Sequence, residues 1–255
     1  MIKRASILFA IILLGIATQG FAQDESPLTF GADLMSRYIW RGVNCGGNSP
    51  SLQPWMKYDM ATSDSKHALT VGAWGAYTFS ATSNQEADLY LIYTYNSVLS
   101  LTVTDYFFPG LYDSGERSHY FNYDKDSTSH VFEGAISFNG TDKIPFTLLF
   151  AMNVYGNDAR KANGDLFMSK YVELGYKANV KGVDFNAFIG ATLDNPDTDK
   201  GELGFYGNSS AGVINLGVKV SKSIKISDSF KLPVQASVIT NPEAENIFFV
   251  FGMSF

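Results

Sequence analysis

The sequence predicts an all-β chain, folded as one closed, up-and-down antiparallel transmembrane β-barrel of about twelve strands. Three observations lead there. Apolar side chains recur at every second position in about twelve segments of roughly ten residues, the length and dyad period of strands that cross a bilayer. The connections between those segments alternate long and short along the chain. The last segment runs to the terminus and ends on Phe255.

The first residues stand apart from this pattern. Lys3 and Arg4 are basic, Ile7 to Ile16 is apolar, and Gly20 and Ala22 place small side chains before an expected cut at Ala22/Gln23. That is the pattern of a secretory signal peptide. The apolar run is too short to cross a bilayer as a helix, which needs about 20 residues. No cysteine follows the cut to carry a lipid. Residues 1–22 are therefore expected to be a cleaved signal peptide and 23–255 the barrel, exported by the general secretory route to a bacterial outer membrane. The formal charge of −6 becomes more negative once Lys3 and Arg4 are gone. An acidic chain gives no support to nucleic-acid binding, which calls for a basic stripe. The lone Cys45 cannot form an internal disulfide and reads as a loop thiol.

The alternation is clearest at the end. Ile247, Phe249, Phe251, Met253 and Phe255 all point one way, because side chains in a strand alternate faces. Phe249, Phe251, Met253 and Phe255 are the expected signal for the outer-membrane assembly machinery. Leu28, Phe30, Ala32 and Leu34 share a face of the first strand, which Tyr38 and Trp40 are expected to continue. Leu52, Met56, Tyr58 and Met60 form the next, followed by Leu69, Val71, Ala73, Tyr77 and Phe79. Leu89, Leu91, Tyr93 and Tyr95 precede Leu99, Leu101 and Val103. Phe132, Ile136 and Phe138 come next, then Phe146, Leu148, Phe150, Met152 and Val154. Val172, Leu174 and Tyr176 are followed by Val183, Phe185, Ala187 and Ile189. Ile214, Leu216, Val218 and Val220 precede Leu232, Val234, Ala236 and Val238. Tyr38, Trp40, Phe79 and Tyr95 fall near strand ends, where an interfacial aromatic girdle belongs.

Connections at 42–50, 80–86, 109–128, 156–168, 194–210 and 240–245 follow odd strands and are expected to be long and extracellular. Those at 61–66, 97–98, 139–143, 179–182 and 222–229 follow even strands and are expected to be short and periplasmic. A soluble β-sandwich, the competing architecture, has no reason to sort its loops by parity.

The opposite faces carry charge in mid-strand. Asp33, Arg37, Lys57, Asp59, Asp88, Glu133, Glu173, Lys177, Asp184 and Lys219 all fall there and are expected to line a wet lumen. Arg37 and Arg41 share the Asp33 face, four residues or about 13 Å apart along one extended strand. Their expected partners are Asp88 and Glu133. The four form either a lumen ion-pair network or a constriction that selects small solutes.

Several segments resemble a bacterial family named Gcw_chp, catalogued as being of unknown function. Ser36-Arg37-Tyr38-Ile39-Trp40-Arg41-Gly42 resembles its S-x-Y-x-[FW]-R-G signature, and Pro50 and Gln53 its P-x-x-Q. Val71-Gly72-Ala73-Trp74 resembles its G-x-W strand. Glu86, Asp88, Tyr90 and Tyr93 resemble E-x-D-x-Y-x-x-Y, and Phe108-Pro109-Gly110 with Glu133 resemble its Y-P-G turn and acidic strand. The resemblance implies a small outer-membrane-type barrel and supplies no substrate.

Nothing points to catalysis. His67, His119 and His130 are the only histidines, and none pairs with a serine on one strand face; a lipid hydrolase is the third-ranked reading. Each histidine is expected at the surface or interface. Asp194 to Asp199 and Tyr123 to Asp126 are acidic runs without the glycine and closing Glu of a calcium loop. No metal and no cofactor is expected. Twelve strands lie between the eight whose side chains fill the bore and the sixteen of open porins. The expected function is a narrow channel or binding pore for a small polar solute, not an enzyme. The alternative is a structural or surface-interaction barrel working through its long loops. The expected partners are the lipid bilayer, lipopolysaccharide, the assembly machinery and the solute.

Overall fold

A computed structural model describes residues 26–80, 85–109 and 118–255. The expected signal peptide and its cut lie outside the described residues. The strands are β1 (Leu28–Met35), β2 (Ile39–Trp40), β3 (Val43–Asn44), β4 (Ser51–Ala61), β5 (His67–Thr78), β6 (Gln85–Tyr95), β7 (Leu99–Phe107), β8 (His130–Phe138), β9 (Phe146–Gly156), β10 (Lys170–Val180), β11 (Val183–Thr192), β12 (Gly212–Lys225), β13 (Lys231–Asn241) and β14 (Asn246–Ser254). Among the described residues, β1 and β4 to β14 make a closed twelve-stranded barrel. Each strand pairs antiparallel with its sequence neighbour, and β1 pairs with both β4 and β14. The remaining pair, β2 and β3, is a separate hairpin.

Alternation sets which side chain faces which medium. Phe249 and Phe251 are 61% and 60% exposed on the outer wall, and Leu101, Leu148 and Ile247 are exposed there too. Such a continuous apolar belt is far more than a water-soluble surface leaves bare. It is the lipid face of a transmembrane barrel. Ser51, Gln53, Glu86, Asp88, Glu133 and Asn153 alternate with that belt and are buried inside. No described helix is long and apolar enough to cross a membrane; this chain crosses with strands.

The loop asymmetry follows the predicted parity at four of the six connections expected to be long. Stretches 36–50, 157–169, 193–211 and the described residues of 108–129 lie at one end, whereas 62–66, 96–98, 139–145, 181–182 and 226–230 lie at the other. The connection expected at 80–86 joins Thr78 to Gln85 and is no longer than 139–145. The connection expected at 240–245 is only the four-residue turn 242–245, because β13 and β14 stay paired out to Asn241 and Asn246.

The larger departure is at the first strand. Alternation predicts one strand through Trp40 and Arg41, but β1 stops at Met35. Ser36 is captured by β14: its N–H donates to the Phe251 carbonyl at 2.8 Å, and its Oγ accepts the Phe251 N–H at 2.9 Å. The chain then turns into the bore. Tyr38 is buried and Trp40 packs on lumen aromatics, so neither belongs to an outer girdle. Phe79 and Tyr95 are exposed, as a girdle requires.

Candidate functional site

The lumen at the long-connection end is filled by the β2–β3 hairpin. Its turn residues, Arg41 and Gly42, have φ of 49° and 78°. Two central residues with positive φ form the turn whose twist suits a two-residue hairpin. Glycine is required at 42 for a second reason. A Cβ there would lie 1.8 Å from the Ile214 carbonyl oxygen of β12. Asn241 of β13 also donates to the Gly42 carbonyl at 3.3 Å. The hairpin tip is thus docked by backbone against two barrel strands.

Arg41 is the centre of the plug. Its guanidinium makes a two-pronged ion pair with Glu133 of β8, the second prong at 2.9 Å, and donates to Tyr206 Oη at 2.8 Å. The Arg41 carbon Cζ stands 4.7 Å from the Trp40 ring centre and 4.6 Å from that of Tyr171. Tyr106 Oη donates at 3.1 Å to Glu133 Oε1, the oxygen that also takes the second prong. Burial opposes the charged guanidinium, but Tyr206 and Glu133 outweigh it and hold the group above the ordinary arginine range. Arginine suits this place because its flat fork engages a carboxylate while its faces stack on rings. Trp40 meets Tyr106, Phe205 and Tyr206 at ring-centre distances of 5.4, 6.1 and 5.7 Å. Phe205 and Tyr206 come from the connection after β11, so two long connections meet in the bore.

A second cluster lies under the same hairpin. Tyr38 Oη donates to Glu86 of β6 at 2.7 Å, and its ring tilts on Trp74 of β5 at 5.4 Å. Asp88 lies two residues along, on the same face and also buried. Gly72 of β5 makes room for Tyr90, since a Cβ there would sit 2.2 Å from that ring. Burial pushes the Cys45 thiol up to about 12, so at neutral pH it is not a thiolate.

The residues that carry the sequence resemblance therefore converge on one contact set. Ser36 ties to β14, Tyr38 to Glu86, Trp40 to the aromatic lining, Arg41 to Glu133, and Gly42 to Ile214. A family model described as a bacterial protein of unknown function, Gcw_chp, matches residues 21–192. The chain belongs to the Gcw_chp family. The Gcw_chp match ends where β11 ends, so Arg41 and Glu133 lie inside it, whereas Tyr206 and Asn241 lie beyond. No curated protein matches the chain. Among solved structures, the chain is similar to the beta domain of the Bordetella autotransporter BrkA, with 12% identity. That alignment covers 90% of this chain and 98% of the other, at a TM-score of 0.35, a likeness too distant to carry an argument.

Of the four selectivity candidates, Arg41 and Glu133 meet. Arg37 does not join them. With β1 ending early, the two arginines no longer share a strand, and Arg37 donates to Asn48 of its own connection at 2.6 Å. Asp88 faces no arginine but lies beside Glu86, which the alternation should have singled out with it. The other lining residues lie on inward faces. Lys57 pairs with Asp59 at 2.7 Å, and Thr70 also donates to Asp59. Glu173 accepts from Tyr171 and, at 2.9 Å, from Asn215. Asp33 stands opposite Gln53 and Ser254 in register. Lys177, Asp184 and Lys219 line a cavity of about 760 Å³ at the short-turn end.

His130 contradicts the expectation of a surface histidine. It points to the outer side of β8 yet is fully buried, because 118–128 folds down over it. Its Nδ1 lies 2.7 Å from Asp105 and its Nε2 lies 2.6 Å from the Tyr120 carbonyl. Phe107 and Tyr123 pack on the ring. This clamp fixes the long connection to the wall.

Proposed function

We propose that this chain is an exported bacterial outer-membrane barrel that passes a small polar solute, with connection 36–50 as its gate. In this reading the long connections face outside and the short turns face the periplasm, as parity-sorted barrels are arranged. Lipopolysaccharide surrounds the outer belt, and the assembly machinery reads the strand that ends at Phe255. The observation that carries the proposal is the manner of closure. A hairpin held by one ion pair, a few hydrogen bonds through Tyr38, Tyr206 and Asn241, and ring contacts is a removable stopper in an otherwise polar bore. We read the chain as non-enzymatic. His67 is engaged by Tyr93 at 2.7 Å, and His130 by Asp105 and the Tyr120 carbonyl, leaving neither poised beside a nucleophile.

The test is single-channel recording in planar bilayers. The wild-type barrel should stay closed for most of the record and open in brief steps. Replacing 37–48 by a short Gly-Ser linker should give steady conductance. If that variant folds but passes no ions, the passage reading is wrong.

A second reading, a surface-interaction barrel, is favoured by the order in the long connections. Arg160 donates to the Lys125 carbonyl at 2.6 Å, Tyr155 to the Tyr123 carbonyl at 2.6 Å, and the Ala162 N–H to Glu202 at 2.7 Å. Three connections are thereby tied into one platform, with Phe121 74% exposed upon it. If the linker variant does not conduct while platform substitutions abolish attachment of cells to a surface, this reading replaces the first.

A further inference from the structure

The short-turn half of the lumen holds a set of side chains that the plug does not use. Lys177 of β10, Asn186 of β11 and Lys219 of β12 are direct cross-strand neighbours. Side chains so placed stand roughly 5 Å apart at their bases. All three face the cavity of about 760 Å³. Among the described residues, neither ammonium has a carboxylate within ion-pair range. The Asn186 Oδ1 between them is buried and has no hydrogen-bond partner there. Asp184, one row nearer the turns, is already engaged by the Asn179 amide at 2.7 Å.

The row above is Gly175, Phe188 and Gly217. Phe188 is an aromatic residue on the lumen face. Its ring lies over Gly217, where a Cβ would come within 2.6 Å of it. Thr147 Oγ1 covers Gly175 in the same way, 2.3 Å from where a Cβ would be.

From this arrangement we infer that the cavity is a binding site for a small organic anion bearing hydroxyl groups, of which a sugar acid is the simplest example. The inference deepens the passage reading by naming a solute class. Two ammonium groups flanking Asn186, one strand to either side, repel each other in a confined bore, and an anionic group between them removes that repulsion. The unpartnered amide oxygen calls for a donor, which a ligand hydroxyl supplies. The cavity is also larger than an inorganic ion requires. Access is from the short-turn end, so the site can fill while the plug remains seated.

Calorimetric titration of the purified full-length barrel in detergent, with glucuronate as the probe, tests this. Glucose keeps the hydroxyls without the charge, and acetate keeps the charge without the hydroxyls. Glucuronate should bind at least tenfold more tightly than either. Lys177→Gln and Lys219→Gln should each weaken it by tenfold or more, as should raising the ionic strength from low to physiological. Asn186→Ala should narrow the margin over acetate. Folding of each variant is checked by the shift in electrophoretic mobility of the unheated barrel. If glucuronate does not bind, binds no better than glucose, or binds folded Lys177→Gln and Lys219→Gln as well as wild type, the inference falls. A barrel that binds glucuronate but never conducts, even without its plug, would overturn the passage reading and leave this site standing.

Discussion

The two halves of the lumen solve the problem of enclosed charge in opposite ways. At the long-connection end Arg41 has a carboxylate, a phenol and two ring faces around it, and little water reaches it. At the short-turn end Lys177 and Lys219 stand in an open cavity that Asp142 and Asp184 also line, and among the described residues they form no ion pair. A buried charge must be paired or it costs several kcal/mol. A charge facing water does not need a protein partner. The first arrangement therefore closes and holds, and the second waits for something to bind. The same wall residues, alternating along the same strands, support both; what differs is whether a long connection has folded in above them.

Four substitutions sharpen or break that contrast. The largest effect is expected from Gly42→Ala. Its side chain would collide with the Ile214 carbonyl, and its left-handed backbone alone costs about 1–2 kcal/mol. The hairpin should be unable to seat, and a water-soluble maleimide should then modify Cys45 as fast as in the unfolded chain. Unchanged, slow modification would show that the tip is not docked as described. Glu133→Ala should come next. It strands a buried guanidinium, a loss of about 3–5 kcal/mol when one partner of a buried pair is removed. The plug should be released part of the time, visible as longer open intervals in bilayer recordings and intermediate labelling of Cys45. Tyr38→Phe removes the donor to Glu86 and leaves a buried acceptor short of a partner, costing about 1–3 kcal/mol. A small rise in labelling rate is expected, with the barrel's melting temperature nearly constant. The smallest effect is expected from the double change Lys177→Ala and Lys219→Ala, within about 0.5 kcal/mol of wild type by thermal melting. A clear destabilisation there would mean that these lysines are structural and that the two halves are less different than the pairing suggests.

The outer wall was fully legible from alternation, because lipid demands an apolar residue at every second place and leaves little freedom. The inner wall was legible only as a list of polar positions. Nothing in the alternation says which of them meet, and Arg41 finding Glu133 while Asp88 finds no arginine depends on the curvature of the closed sheet. The first strand was misread because Tyr38 and Trp40 continue the apolar rhythm past Met35. The contrary signal was present in Arg41-Gly42, a turn dipeptide in the middle of that supposed strand. Tyr106, Tyr171 and Tyr206 were missed as parts of the site. A tyrosine fits lumen, interface and loop equally well by composition, and only the fold distinguishes them. The burial of His130 was not legible, because a connection that doubles back over the wall leaves no periodic trace.

The junction of β1 with β14 carries one more consequence. It is the shortest seam in the barrel, with Asp33, Leu34 and Met35 in register and the Ala32 and Phe255 backbones exchanging bonds at 3.2 and 3.0 Å. Its two sides are the first and the last of the described barrel strands in chain order. Every other pairing joins sequence neighbours and can form locally, whereas this one must close a loop that contains the whole domain, the slowest kind of contact to make. A chain cut short after β13 would own eleven of the twelve wall strands and still be an open sheet with two bare edges, prone to join a neighbour's. Placing the closing bonds between the first and last strands of the wall makes closure a test of the wall itself: only when all twelve strands are present can it seal against its neighbours.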